Sequence, residues 1–456
     1  MGERNPTSSP QASACDYRRI VNSWAMYDWA NSAFAVIILT AVYPVYYRTL
    51  VTNAGRSPED ATAYWAYTNS ASLLMIALVG PVLGAAADLA GGKMRMLKIA
   101  LALGVLGSAS LAFLGSASLA FLGSETFVIG SLLFALANLG FTGGNIFYEA
   151  LLPHIARPGD LDRVSARGYA LGYLGGGLLL VFNVLWLYRP QWFGLPDREI
   201  ALRACFISTA LWWFIFALPL FRNITEPDGR EMARLSPVVV IDGWRRLRRT
   251  LRQIRRYRQL ALFLAAFWLY NDGVSTIIKM AAAYGDEIGI GHNDMLIALI
   301  LTQFIGFPST LGFGALARTV GAKRSILLGL ACYMVVSICG FFIKSAVHFY
   351  GLAVVVGLVQ GGTQALSRSL FTTMIPKSQS SEFFGFFSTG EKLAGIIGPA
   401  LFGLVGQITG SSRWGIISVT FLFVAGGLLL SRVDAAEGRR AAETAENTPW
   451  PGLFTP

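Results

Sequence analysis

The sequence predicts an all-α integral membrane protein, twelve transmembrane helices arranged as two parallel six-helix repeats. Three observations carry that reading. Of 456 residues, 54% are hydrophobic and only 14% charged, far too apolar for a water-soluble chain of this length. Twelve apolar runs can be marked off, each of about 20 residues, the length a helix needs to cross a hydrocarbon core of roughly 30 Å. Short motifs of the first half also return in the second at a nearly constant offset, the mark of an internal repeat.

The runs lie near 22–47, 63–87, 97–120, 126–150, 166–188, 200–221, 260–284, 294–317, 324–343, 348–374, 383–408 and 413–431. The polar start lacks the short apolar run and small-residue cleavage site of a secretory signal, so the first run is expected to remain as a span. The expected organisation is a tail at 1–21, a six-helix bundle at 22–221, a basic linker at 222–259, a second bundle at 260–431 and a tail at 432–456. Within the linker, Ser236 before Pro237 is a good helix start. Val240, Trp244, Leu247, Leu251 and Ile254 then recur at helical spacing beneath a face of arginines. That pattern suits a helix lying on anionic lipid, a tether that contacts no solute.

Charge sets the orientation. A net charge of +11 could suggest nucleic acid, but its distribution argues against that. With both termini on one side, that side collects 28 of the 37 Lys and Arg, eleven of them in the linker, and the other side seven. The positive-inside bias therefore places both termini and the linker in the cytoplasm. Cys15, Cys205, Cys332 and Cys339 show no metal-ligand or disulfide spacing and read as packing residues. No cofactor or metal is expected. A GxxxxGK phosphate loop is absent, as are HExxH and GxSxG, which argues against an ATP-driven pump and a membrane enzyme.

The repeat is specific. GAAADLAGGKMR from Gly84 to Arg95 returns as GALARTVGAKR from Gly314 to Arg324, matching Gly84 with Gly314, Gly91 with Gly321 and Lys93 with Lys323. Tyr27-Asp28-Trp29 in span 1 returns around Tyr270-Asn271-Asp272 in span 7, and Pro153 after span 4 returns as Pro376 after span 10. An even number of spans per copy gives both copies one orientation. This arrangement resembles the major facilitator superfamily, whose loop after the second helix of each half runs from a glycine through an acid to a basic pair. Gly84, Asp88, Gly91 and Lys93 fit that loop; Leu89 stands where a basic residue is usual, and Arg318 where the second copy could keep an acid. The resemblance implies a conformational gate at these loops, and the departures predict a weakened charge latch.

Two longer stretches, YDWANSAFAVIILTAVYPVYY at 27–47 and GGTQALSRSLFTTMIPKSQSSEFFGFF at 361–387, are similar to the autophagy-related vacuole effluxer family and its bacterial relatives. YNDGVSTI at 270–277 and VSARGYALGYLGGG at 164–177 add to that similarity. It implies a monomeric secondary transporter of a bacterial inner membrane, moving a small solute, with amino-acid export the activity of the fungal branch.

Intramembrane polar residues are the candidate site, because a charged side chain costs about 2.5–3.5 kcal/mol or more in hydrocarbon. Asp28 and Asn31 share a face of span 1, and Asn138, Thr142, Asn145 and Glu149 form a stripe on span 4. Asp272, Ser275, Thr276 and Lys279 do so on span 7, and Gln360, Gln364, Ser367 and Arg368 on span 10. Spans 3, 6, 9 and 12 are apolar all round and are expected to face lipid. Spans 1, 4, 7 and 10 then wall a central cavity.

Each residue keeps a plainer alternative. Asp28 is either an interfacial acid or a transport residue, and Glu149 either pairs with Arg157, Arg163 or Arg167 or meets solute. Asp272, near mid-depth, and Lys279 are expected to meet the cationic and anionic groups of a zwitterion, Asp272 carrying a coupling proton in the alternative. Arg368 is either structural or part of a gate. Of the adjacent Glu391 and Lys392, one is expected to face the cavity and one a neighbouring helix. Gly168, Gly172 and Gly176 in span 5, and Gly395, Gly398, Pro399 and Gly403 in span 11, predict rocking contacts between the halves. The tandem octad GSASLAFL at 107–122 predicts a lipid-facing span. Rival functions are export of drugs or lipids, and a scaffold or sensor without flux.

Overall fold

The computed structural model describes residues 14–90, 92–114, 126–226 and 257–447. Helix α1 spans Ala14–Ala33, continues as a wider helical turn Phe34–Ala41 and resumes as Tyr43–Asn53. The cause is local: Pro44 has no N–H and its ring crowds the preceding turn. The Val42 N–H therefore reaches back five residues to the Ile37 carbonyl at 2.8 Å, and the helix bends by 42°. The other spans are α2 Pro58–Ala90, α3 Lys93–Ser110, α4 Thr126–Ala150, α5 Leu161–Tyr188 and α6 Arg198–Asn223. They continue with α7 Arg258–Glu287, α8 His292–Val320, α9 Ala322–Gly340 and α10 Ala346–Thr373. Helix α11 is Ser380–Ala394 resumed as Ile397–Thr409, and α12 is Ser412–Ser418 resumed as Thr420–Ser431. Eleven described helices are long and apolar enough to cross a membrane, or twelve with bent α1 counted as one.

The amphipathic linker helix read at 237–258 lies outside the described residues except at its final two positions. The tail after α12 is partly ordered: Ala435–Asn447 forms α13, whose first N–H groups are capped by the Asp434 carboxylate. Gln259 at the start of α7 holds that turn by bonding Glu437 and the Asp434 N–H.

Aromatic rings fill the interior of the first half, where Tyr43, Phe134, Trp65 and Phe206 pack around one another and Phe34 meets Trp213. One buried cluster runs from Val21 to Ile224; a second runs from Leu260 to Val433 and takes in Ile146 and Ala150. Helices α3, α6, α9 and α12 do carry outward apolar rows, such as Leu103 and Leu106, Leu211 and Phe214, Leu328 and Val335, and Phe421 and Leu428. Their other faces are buried, however. Gly107, the first residue of the first octad, lies against α4, where a Cβ on it would meet the Ala137 nitrogen at 2.7 Å, and just before the octad a Cβ on Gly140 would meet the Gly104 nitrogen at 2.2 Å. The lipid-facing reading of that octad is thus corrected at its start; the second octad lies outside the described residues.

The halves meet through α2 along α11, and through α5 along α8 and α10. Most of the expected rocking glycines are placed differently. Gly172 and Gly176 face Ser32 and Val36 of α1, and Gly398 faces Thr276 and Asp272 of α7, each within one half, while Gly168 faces both Asp28 of α1 and Arg368 of α10. Further close approaches between halves use other small positions: Gly84 under the Ser381 carbonyl, Gly385 against Pro81, and Gly306 and Gly361 against the Tyr173 ring. A helix at such a junction has two packing faces, and glycine spacing does not say which neighbour each one meets.

The backbone contact of α3 with α4 makes a prediction. Gly140→Val is expected to lower stability by at least the roughly 1–3 kcal/mol of an overpacked core, read as a reduced Tm in detergent. Gly351→Val, where nothing lies within 4 Å of the added Cβ, serves as control, and equal Tm values for the two variants would refute the contact.

Candidate functional site

Arg368 of α10 is the charge on which the junction closes. Its side chain is 1% exposed, yet it reaches out of the second half into the first. One terminal nitrogen donates to Asp28 Oδ2 of α1 at 3.2 Å and to the Ser165 carbonyl of α5 at 3.0 Å, while Nε donates to Ser165 Oγ at 2.9 Å. The other terminal nitrogen lies 3.7 Å from Glu149 Oε1 of α4. Three ring faces enclose the guanidinium: Tyr169 at 4.3 Å, Trp24 at 4.9 Å and Tyr148 at 5.9 Å from its central carbon. Gly168 keeps the space open, since a Cβ there would sit 2.3 Å from Asp28 Oδ2 and 3.0 Å from Arg368.

Helical spacing builds this pocket. Trp24 and Asp28 lie four apart on α1, as do Ser165 and Tyr169 on α5, so each pair shares a face. Asn31, one turn past Asp28, donates to Asn145 at 2.6 Å, one turn before Glu149. Gln364, one turn before Arg368, accepts from Tyr173 at 3.4 Å. Ser165 also donates to the Ala365 carbonyl at 2.7 Å, and Ser369 donates to Asp162. Ser165 and Arg368 lie four and five residues from the nearer ends of their helices, about 6–8 Å in at a 1.5 Å rise. The cluster therefore plugs the end of the bundle that carries the basic loops.

A second closure lies at that same end. Asp88 and Lys93 form a fully buried ion pair at 3.2 Å. Asp88 also accepts the backbone N–H groups of Ser381 and Glu382 at 3.2 and 2.8 Å, capping the first turn of α11 from the opposite half. Lys93 Nζ meets His154 Nε2 at 3.1 Å, and that nitrogen lies 3.3 Å from Ser380 Oγ. Glu226 accepts the N–H groups of Lys93 and Met94, capping α3. So the first loop holds a buried charge pair despite Leu89, while Gly91 lies outside the described residues. The second copy is a packing corner: Gly314 sits on Ala166, Gly321 turns with φ +89°, Lys323 donates to the carbonyls of Ser431 and Val433, and Arg318 is exposed.

Asp272, near mid-depth of α7, has another role. Pro399 cannot donate and interrupts α11, and Asp272 Oδ2 accepts the freed Gly398 N–H at 2.6 Å. Its other oxygen is buried without a hydrogen-bond partner. Thr276 donates to the Asp272 carbonyl at 2.7 Å. Lys279 is exposed and points to the Gly395 carbonyl at 3.4 Å. Asp272 and Lys279 make no ion pair with each other but lie within electrostatic reach of one another. Glu391 and Lys392 pair with each other at 3.3 Å, half-buried. They lie within electrostatic reach of Glu149 on one side and Lys279 on the other.

Glu149 meets Arg368, not Arg157, Arg163 or Arg167, and Asp28 is a buried partner in an ion pair rather than an interfacial acid. Trp24, Tyr148, Ser165, Tyr169 and His154 were not singled out by the sequence. Their spacing of four from Asp28 or from one another was the available signal for three of them.

Removing the shared cation tests the cluster. Arg368→Met leaves two facing acids and is expected to cost about 3–5 kcal/mol, seen as a lowered Tm in detergent. Adding Asp28→Asn and Glu149→Gln to that variant should recover most of the loss. A single variant as stable as the parent would contradict a stabilising bridge.

The family model for vacuole effluxer Atg22-like proteins matches residues 16–443. The uncharacterised MFS-type transporter YxiO of Bacillus subtilis (strain 168) is 35% identical over 429 residues, 94% of this chain and 98% of that protein. Autophagy-related protein 22 of Yarrowia lipolytica is 26% identical over 316 residues, 62% of this chain, and the match spans 52% of the fungal protein, about half its length. Among solved structures, the proton:xylose symporter XylE superposes with a TM-score of 0.67 at 14% identity, over 95% of this chain and 98% of that one. A bacterial homologue of the iron transporter ferroportin gives 0.65 at 16% identity, over 91% and 98%. The fold is that of the major facilitator transporters, and the chain belongs to the Atg22-like vacuole effluxer family within that superfamily.

Proposed function

We propose that this transporter exports a small solute, an amino acid or similar metabolite, across a bacterial inner membrane by alternating access, coupled to protons. The observation that supports the reading most is the single guanidinium of Arg368 shared by two acids of the opposite half. Opening the basic end withdraws that cation with α10 and leaves Asp28 and Glu149 facing each other. Two uncompensated acids inside a membrane protein are costly, so the opening is favoured only when a proton or solute enters. Glu149 is the better coupling acid of the candidates, because its one ion pair is the long one at 3.7 Å and its side chain is 15% exposed. Asp272 instead has one oxygen committed to backbone.

The positive-inside bias supports a cytoplasmic basic end, with both termini and the linker there. On that orientation the closed end faces the cytoplasm, and the latch of Asp88 and the Arg368 cluster open when solute is taken from inside. The family's description as effluxers supports the outward direction. The protein acts as a monomer with lipids around its outward apolar rows, and Gln364, Lys279, Glu391 and Lys392 offer polar groups to the solute on the second half.

Flux in proteoliposomes tests this with a panel of radiolabelled amino acids. Glu149→Gln is expected to lose at least about tenfold of pH-gradient-driven flux, the scale of removing one 1.4 kcal/mol coupling, while solute exchange without a gradient continues. Undiminished pH-driven flux would remove Glu149 from proton coupling.

A further inference from the structure

The pocket that holds Arg368 has the composition of a cation receptor, and its occupant comes from the same chain. Two carboxylates, the Ser165 hydroxyl and carbonyl, and the ring faces of Trp24, Tyr148 and Tyr169 all belong to the first half. The only positive charge among these groups belongs to the second half. A pure gate needs one acid and one base. Here the acids outnumber the base, and the aromatic faces add an attraction for delocalised or alkylated cations that a simple ion pair does not require.

We propose that this pocket is the solute site, that Arg368 is its internal placeholder, and that the transported solute carries a guanidinium or primary ammonium group. The proposal rests on the transporter reading above and names its substrate class. When the halves part at the basic end, Arg368 leaves with α10, and the pocket opens with two acids and three ring faces unoccupied. A cationic solute then takes the place of the guanidinium, satisfying Asp28 and Glu149 while the halves are apart. Arg368 retakes the two acids as the solute passes inward, so the basic end closes behind the solute on the chain's own cation. Asn31 and Asn145, one turn deeper, continue the polar wall inward. Lys392, within electrostatic reach of Glu149, is placed to receive an anionic group at the other end of the same solute.

Neutral solutes fit this pocket poorly, because they leave both acids without a counter-charge. Anionic ones are repelled by them. The aromatic lining favours a planar guanidinium over a compact ammonium, since the former stacks on ring faces. Glu149 then links charge selection to coupling: a proton there lowers the pocket's charge and its hold on a cation.

The experiment measures binding and counterflow with L-arginine, agmatine and L-lysine, with L-leucine and L-glutamate as comparators. In purified wild-type protein, the three cations are expected to raise the Tm and to exchange with radiolabelled L-arginine, and the comparators to do neither. Arg368→Gln empties the pocket of its placeholder, so agmatine and free guanidinium should bind this variant about tenfold or more tightly than wild type, as expected when a pocket is mostly occupied by an internal competitor. The same probes should lose binding in Asp28→Asn with Glu149→Gln. Unchanged or weaker agmatine binding in a folded Arg368→Gln overturns the placeholder. Should that variant not fold, wild-type counterflow decides alone. Exchange of L-leucine but not of the cations overturns the substrate class and leaves the transporter reading standing, whereas a chain moving none of the five removes both.

Discussion

One buried guanidinium governs how the two halves of this protein stand against each other. Arg368 is supplied by α10 and satisfied almost entirely by the other half, through Asp28, Glu149 and Ser165. An arginine cannot shed its charge at physiological pH, so it must be paired wherever it is buried. This makes the closed arrangement specific rather than merely compact. Apolar helix faces slide over one another at little cost, but a fully buried cation has few positions in which its donors are met. The aromatic rings around it narrow those positions further, because they exclude water from the ion pair. The stability of the closed basic end and the cost of opening it are thus two descriptions of the same contact.

The internal repeat shows how this asymmetry arose in physical terms. The offset that brings Pro153 onto Pro376 brings Asn145 onto Arg368. The first half therefore has a neutral amide where the second has a permanent charge, and that amide binds Asn31 within its own half. Asp28 and Asp272 stand at matching places on α1 and α7, yet the first crosses the junction to Arg368 and the second caps the break in α11. Asp88 likewise caps α11 from across the junction, while Arg318 at the matching place is exposed. A shared backbone plan with unlike charges gives two halves that fit face to face only one way.

Much of the fold was legible before any coordinates. Apolar length, charge bias and the repeated loop each constrain helix number and relative direction, and these depend on composition over many residues. Polar stripes marked Asp28, Glu149 and Arg368 one helix at a time, since each is an expensive residue in hydrocarbon. Their meeting was not legible, because it depends on the rotation and tilt of three helices far apart in sequence. The same holds for Asp272, where period and depth were readable but the Gly398 N–H that faces it is created by the break at Pro399. Tyr169 and Trp24 were hidden for a different reason: an aromatic residue in a membrane helix is ordinary, and only a cation beside it gives it a meaning. The glycines misled in the same manner, for a small residue announces close approach without naming the partner.

Helix α11 ties these contacts into one device. Its first segment, Ser380–Ala394, begins on the Asp88 carboxylate of the first half, and its second, Ile397–Thr409, begins on the Asp272 carboxylate of the second. Each segment has its exposed N–H groups met by an acid, but the two acids move with different halves. Parting the halves at the basic end must uncap the first segment while the second stays attached to α7. The interval at Gly395 and Ile396 is where that difference is taken up, and the Glu391–Lys392 pair sits one turn before it, between Glu149 and Lys279. A displacement that withdraws Arg368 therefore also shifts the charges that face the pocket from the second half. Gate and solute environment change together because one broken helix touches both.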